Sequence, residues 1–290
     1  KTHQFNPLFY IDLKAESGAK DLLKLIEILF PSYGLTGAEA HFNNLAGQYW
    51  TGLAKLLHFF INYDPSWLGE FGLKPVFSIG SVVDLYSNID RELILSKRED
   101  LEGTKGLDEN ALYHLRDALT KIREYHETED EQRSSIDGSF RKKMSLFYLP
   151  TVRKCTDGND FDLRQLRRED ITVYVGVNAE DMSLAYDFLN LFFNFVVEVT
   201  LRENPDFDPT LKHDCLMFLD EFPSIGYMPI IKKGSGYIAG FKLKLLTIYQ
   251  NISQLNEIYG VEGAKTLMSA HPCRTSTWWC FRGKVVPVRE

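Results

Sequence analysis

The chain has 290 residues, 44% of them hydrophobic and 25% charged, with 20 Phe and 14 Tyr. That is enough chain for one large domain or two, and the composition excludes collagen-like, coiled-coil and disordered classes. The formal net charge of −7 excludes nucleic-acid binding by bulk electrostatics: neutralising phosphates takes clustered Lys and Arg, so any such site is local.

From about Asp12 to Pro150 the apolar pattern is helical. Thr36-Gly37-Ala38-Glu39 has the form of a capping box. It leads into Phe42, Leu45, Ala46, Tyr49, Leu53, Leu56, Leu57 and Phe60, the stripe of a helix with one buried face. Val82 to Arg98 reads as a further helix. Asp108 opens another, with Leu112, Leu115, Leu119 and Ile122 on one side. Glu124 to Glu131 reads as a solvated helix end and loop. The basic runs Arg141-Lys142-Lys143 and Arg164/Arg167/Arg168 read as solvated faces, the usual role of short charge runs.

From about Phe161 onward, short β-branched runs alternate with helical segments. Ile171 to Val177 predicts a buried strand. Asn178 predicts the cap of a long helix reaching about Glu203, with Leu184, Phe188, Leu191, Phe192, Phe195 and Val199 inward. The most apolar stretch, Phe188 to Val199, is interrupted by Asn190 and Asn194 and is shorter than the roughly twenty residues of a bilayer span. It reads as a buried amphipathic helix. Leu216 to Leu219 predicts a second strand, Lys244 to Tyr249 a third, and the runs after Trp278-Trp279 edge strands. This alternation implies a parallel sheet flanked by helices.

The four Cys, at 155, 215, 273 and 280, include no C-x-x-C pair. That argues against a disulfide framework and a structural zinc, and suits a reducing compartment. The His residues are scattered and form no triad. The four Trp read as core.

The sharpest signal is Leu216-Met217-Phe218-Leu219-Asp220-Glu221-Phe222. An apolar strand carries two adjacent acids at its carboxyl end, where ligands sit in parallel α/β sheets. This is the Walker B pattern of nucleoside triphosphatases. Asp220 would orient the water shell of Mg²⁺, which prefers one or two carboxylates. Glu221 would take a proton from the attacking water or orient it. Apolar strands also end in Asp-Glu where they merely meet a polar loop, so a second signal matters. The next strand ends at Gln250, whose neutral amide could reach a terminal phosphate or the water without adding charge. No G-x-x-x-x-G-K-[ST] cradle occurs in the sequence. Gly234-Ser235-Gly236 and Gly240-Phe241-Lys242 lack the required spacing.

Phe218-Leu219-Asp220-Glu221-Phe222-Pro223, then Tyr237-Ile238-Ala239-Gly240, then Leu243 to Leu255, then Ile258-Tyr259-Gly260 resembles the coupling proteins of type IV secretion and conjugation systems, the Vir-D/Tra-G/Tra-D class. Phe5-Asn6-Pro7-Leu8, Arg133 to Phe140 and Asp160 to Leu166 look like the same family's punctuation. The resemblance spans nearly the whole chain in order. It implies an α/β fold: a partial RecA-like P-loop NTPase domain with an inserted all-α domain. Residues 1–11 would close the first part of the nucleotide-binding domain, 12–155 form the all-α domain, and 156–290 supply the second part. It also implies a membrane anchor and a Walker A loop preceding Lys1, and a ring hexamer at the cytoplasmic face of the bacterial inner membrane. ATP and Mg²⁺ would be the cofactors, with Asp220 on the metal, Glu221 on the water and Gln250 on the γ-phosphate.

Some relatives carry an arginine finger before the third strand. Here that stretch, Ala239-Gly240-Phe241-Lys242, has no Arg. Either Lys242 or Lys244 substitutes poorly or the finger comes from elsewhere; Arg274 is a further nucleotide-contact candidate, set against a structural role for the same residue. The acidic balance favours a protein effector or its chaperone as the partner of the all-α domain, over DNA. The motor would also engage other secretion components. A rival reading, from a different class, makes the chain a non-catalytic docking module, which the missing cradle favours for the isolated piece. A DNA-translocating conjugation motor is the third reading.

Overall fold

The computed structural model describes residues 3–234 and 238–271. They fall into two compact units, Lys1–Leu163 with Ser183–Val199, and Arg164–Met182 with Thr200–Glu290.

In the first unit the helices are α1 (Gly18–Leu29), α2 (Gly37–Asn62), α3 (Ser66–Glu70), α4 (Ile79–Asn88), α5 (Arg91–Ser96), α6 (Arg98–Glu102), α7 (Glu109–His126), α8 (Asp130–Met144) and α9 (Pro150–Thr156). The central one is α2, against which α4, α7 and α8 pack. The predicted stripe is buried at Ala46, Tyr49, Leu53, Leu56, Leu57 and Phe60, and half-buried at Phe42 and Leu45. Thr36 makes no side-chain cap hydrogen bond, so the predicted capping box is not formed. Asp108 does cap α7, accepting from the Ala111 amide at 2.7 Å.

The helix predicted over Val82 to Arg98 is broken. Chain direction changes at Ile89, whose backbone is extended, and the Asp90 carboxylate accepts from the Leu93 amide at 3.0 Å to start α5. An Asp that can bond the backbone two or three residues on favours a new cap over an uninterrupted helix.

Two ring stacks knit the helices. Tyr49 of α2 lies on Tyr125 of α7 at 3.8 Å between centroids, and Tyr86 of α4 lies on Phe140 of α8 at 4.0 Å. Trp50 is fully buried. Gly80 at the start of α4 permits a close approach. A Cβ there would meet Asp157 Oδ1 at 2.7 Å and Arg153 Nε at 2.8 Å.

The amino-terminal segment closes this unit. Phe5 N–H donates to the Cys155 carbonyl at 2.7 Å. Asn6 is buried; its N–H donates to Asn159 Oδ1 and its amide group to the Phe77 carbonyl. The Tyr10 hydroxyl accepts from Leu163 N–H at 3.0 Å. Two of the motifs that carry the family resemblance, Phe5–Leu8 and Asp160–Leu163, therefore meet in space.

Helix α10 (Met182–Leu201) is long and apolar enough to cross a bilayer by length and composition alone. Within the first unit, however, its Phe192 and Phe195 pack on Phe5 at 4.9 and 6.1 Å. Leu184, predicted inward, is exposed, because the helix begins only two residues before it and its first turn has little to pack on.

The second unit contains β1 (Cys215–Leu219), α11 (Pro229–Gly234), β2 (Leu243–Thr247) and α12 (Ile252–Ser269). The strands are parallel neighbours in register Cys215↔Leu243 through Leu219↔Thr247, as predicted. The strand predicted over Ile171 to Val177 is not formed. The segment alternates half-buried and exposed residues with period two, and no strand partner lies beside it among the described residues. A strand is completed by a neighbour's backbone, which side-chain pattern cannot supply.

The run Arg164/Arg167/Arg168 is not the solvated face predicted. Arg167 is 2% exposed and donates to the carbonyls of Glu203 and Phe241 at 3.0 and 2.8 Å. Arg168 pairs with Glu203 and Asp208, each at 2.8 Å. Buried carbonyls need donors, and here a basic run supplies them.

Two outcomes follow from this packing. Burial first, and the Lys14 charge second, push the His58 pKa from 6.5 down to about 4. Between those values the unfolded chain binds a proton that the folded chain does not. The contribution is therefore complete above about pH 6.5 and is lost as pH falls toward 4. In urea titrations at pH 7 and pH 4.5, His58→Gln is expected to lose less stability on acidification than the parent, by on the order of 1–2 kcal/mol. Replacing Arg167 by Ala removes the donor from two carbonyls and is expected to cost about 3 kcal/mol in the same assay, whereas Lys97→Ala, on an exposed pair, changes it by less than about 0.5 kcal/mol.

Candidate functional site

The site is built on the carboxyl end of the β1–β2 ladder. Asp220 and Glu221 follow β1 directly, and Gln250 lies three residues beyond β2. Because the strands are parallel, both ends emerge at the same edge. Two backbone bonds beyond the strands hold them there: Ile248 N–H to the Leu219 carbonyl and Phe222 N–H to the Ile248 carbonyl, both 2.9 Å. The acid pair is thus clamped on either side by one residue of the neighbouring segment.

Two of the three side chains approach one another. Gln250 Nε2 lies 3.5 Å from Glu221 Oε2, at the long limit of a hydrogen bond. Asp220 and Gln250 are exposed and Glu221 is half-buried. All three are accessible oxygen-bearing groups, and two are carboxylates, the hard donor set that suits Mg²⁺.

Gln250 is positioned by a device that the sequence carries but that periodicity alone did not flag. Asn251 and Gln254 form a reciprocal capping box at the start of α12. Gln254 Oε1 also accepts from the Gln250 backbone N–H at 3.0 Å. The spacing Asn-x-x-Gln was the available signal.

Tyr259 supports the acids from below. Its ring stacks on Phe222 at 5.9 Å, its hydroxyl accepts from Met228 N–H at 3.2 Å, and it donates to the Gly226 carbonyl at 3.4 Å. Phe222 is buried immediately after Glu221. The next residue, Gly260, has φ 71° and ψ 162° and kinks α12. That left-handed region favours glycine, which accounts for the Tyr-Gly pair.

Lys242 and Lys244 sit at the other end of the ladder and are held within the chain. Lys242 Nζ donates to the Leu211 carbonyl at 2.7 Å, and Lys244 pairs with Asp214 at 2.6 Å. Lys242 also adopts φ 57°, the only positive φ outside glycine among the described residues. Arg274 lies outside the described residues, as do Gly236 and Trp278-Trp279. Cys215, at the start of β1, is buried, and burial pushes its thiol pKa up, which suits packing and not nucleophilic chemistry.

Comparison with known proteins bears on the same elements. The profile of a family described as type IV secretory system conjugative DNA transfer matches residues 1–279. Protein VirD4 of Agrobacterium fabrum is 32% identical over 126 residues, which is 43% of this chain and 19% of the relative. The conjugal transfer protein TraG of Escherichia coli is 29% identical over 133 residues, 43% of this chain and 21% of the relative. The plasmid coupling protein TrwB, solved with a non-hydrolysable ATP analogue, superposes with a TM-score of 0.60 at 17% identity, over 93% of this chain and 54% of TrwB. TrwB with ADP and Mg²⁺ gives 0.54 at 15% identity. The TrwB likeness is one of fold, and agrees with an α/β core accompanied by an all-α domain. The chain spans about a fifth of the length of the curated relatives it matches. It belongs to the type IV secretory conjugative DNA-transfer family.

Proposed function

We propose that this family member is the motor part of a coupling ATPase, which recruits a substrate and drives its delivery to a secretion channel. The observation that carries the reading is the meeting of Asp220, Glu221 and Gln250 at one edge of a parallel ladder, with Gln250 Nε2 3.5 Å from Glu221 Oε2. The solved relative TrwB binds an ATP analogue, and ADP with Mg²⁺, and the donor set here suits that pair.

Bound MgATP would supply an electrophilic phosphoryl group. Asp220 would hold the ordered waters of the metal, and its exposure leaves room for them. Glu221 would accept a proton from the attacking water. The Gln250 amide would bridge that carboxylate and the γ-phosphate, donating to both in turn without adding negative charge. Arg274 would be a further contact to the nucleotide. No phosphate-cradle motif occurs in this sequence, and in this reading turnover is assigned to the whole protein.

In the same reading, residues 1–11 close the first part of the nucleotide-binding domain, 12–155 form the all-α domain that engages substrate, and 156–290 complete the motor. The protein acts as a hexamer at the cytoplasmic face of the inner membrane, beside other secretion components. The family description supports DNA as the substrate. A second reading, delivery of protein effectors or their chaperones, is favoured by the net charge of −7.

In the complete protein, Glu221→Gln is expected to lower kcat for ATP hydrolysis by about 10²-fold or more while nucleotide binding is retained, because only the chemical step loses its base. Equal turnover in both proteins would remove Glu221 from the chemistry. The two substrate readings separate on salt. DNA delivery predicts that DNA affinity of the complete protein falls steeply and log-linearly between 50 and 200 mM salt, roughly 10³-fold for about six phosphate contacts. Effector delivery predicts no saturable DNA binding in that range.

A further inference from the structure

The motif Arg133-Ser134-Ser135-Ile136-Asp137-Gly138-Ser139-Phe140 has no part in the ATP chemistry. It forms most of α8 in the first unit, and the structure gives it a different use. Arg133, Asp137 and Arg141 lie four residues apart and so share one helix face. That face, with Arg91 of α5 and Tyr86 of α4, lines an open cleft of about 730 Å³. A second cleft of about 420 Å³ shares Arg133, Asp137 and Arg141 with it. Three guanidinium groups thus converge in a chain whose net charge is −7.

Arg91 and Arg141 are oriented without an ion pair, whereas Arg133 pairs with Asp130 at 3.4 Å. Arg91 Nε donates to the Tyr49 hydroxyl at 2.7 Å, and its guanidinium lies 5.0 Å from the Tyr125 ring centroid. Arg141 Nε lies 3.3 Å from the Tyr86 hydroxyl. Among the described residues, neither arginine forms an ion pair, and neither has a protein partner at its two terminal nitrogens. Holding Nε on a tyrosine leaves the outer edge of each fork facing the cleft, the edge that binds oxyanions in pairs of parallel hydrogen bonds. Arg133 braces the turn before α8 through the His126 and Thr128 carbonyls, and its Nε is buried without a partner. Two carboxylates line these clefts: Asp130, which pairs with Arg133, and Asp137, whose Oδ1 accepts from the hydroxyls of both Tyr86 and Tyr125, at 2.7 and 2.6 Å. That holds it toward the ring stacks.

We infer that this cleft binds a phosphate group, either free or as the phosphomonoester of a small organic molecule. A carboxylate has two oxygens, fewer than the terminal N–H donors of Arg91 and Arg141 can serve. A tetrahedral dianion has more acceptor positions and twice the charge. The tyrosine walls and the volume, within the range of small-molecule sites, leave space for an organic substituent on the phosphate.

The test is calorimetric titration of the full chain, at low ionic strength and pH 7.5, with inorganic phosphate, phenyl phosphate and acetate. Saturable one-to-one binding of either phosphate is expected, with acetate at least about tenfold weaker. Tighter binding of phenyl phosphate identifies an ester as the ligand class, and equal binding identifies free phosphate. Arg141→Gln and Arg91→Gln are each expected to weaken phosphate about tenfold, and Lys97→Gln, on an exposed ion pair elsewhere, to leave it unchanged. Asp137→Asn removes the opposing charge while keeping an acceptor for the tyrosines, and is expected to tighten phosphate several-fold, a gain that a misfolded variant cannot imitate. No saturable binding at millimolar phosphate, acetate binding as tight as phosphate, equal loss in Lys97→Gln, or no gain in Asp137→Asn would each overturn the assignment.

Discussion

The first unit depends on the closure of its two ends. Phe5 and Asn6 bond to the chain at Cys155 and Asn159, and Tyr10 receives Leu163. Everything between, from α1 to α9, is a loop pinned at its base. Fixing both ends of so long a stretch removes conformational freedom that otherwise grows with loop length. The aromatic cluster of Phe5, Tyr10, Phe192 and Phe195 adds apolar burial to a set of directional bonds. Neither would hold alone: the hydrogen bonds set the geometry, and burial keeps water from competing for them.

How much of this was legible in the sequence follows from what each feature needs. Helices α2 and α7 were legible because one buried face writes its period into the chain. Strands β1 and β2 were legible as short apolar runs ending in polar residues. Ile171 to Val177 has the same character and forms no strand, since pairing depends on a neighbour and not on the segment itself. The break at Asp90 needed local hydrogen-bond chemistry that outweighs helical period. The burial of Arg167 is a tertiary fact, because the carbonyls it serves lie at Glu203 and Phe241, far along the chain. At the candidate site, Asp220, Glu221 and Gln250 were all named from strand ends, and the ladder brings Glu221 and Gln250 within reach. The supports, Gln254 and Tyr259, lie within the family motifs, but the sequence gives them no role. Their function becomes visible only when the turn and the ring are seen in space.

Charge is distributed with a consistent economy of place. The acidic excess lies mainly on exposed positions, while several basic side chains are drawn inward to fixed duties. Lys55 is buried beside Asp117 at 2.7 Å, Arg153 ties α9 to Asp84 of α4, and Arg167 serves two carbonyls. Net charge therefore describes the surface poorly at any one spot. A chain of −7 still presents a cationic recess on α8, because the sum over the sequence says nothing about where the minority charge gathers.

Among the described residues the β1–β2 ladder has one buried and one exposed face. Cys215, Met217 and Leu219 are buried, whereas Leu216 and Phe218 are 59% and 55% exposed and stand beside Leu246, at 43%, on the same face. Parallel ladders are ordinarily shielded on both faces. In aqueous buffer this strip behaves as a small oily window, and its consequence is colloidal. An exposed apolar strip is a place where hydrophobic dyes and detergent tails can settle, and sulfate, which strengthens apolar burial, favours its burial against another molecule.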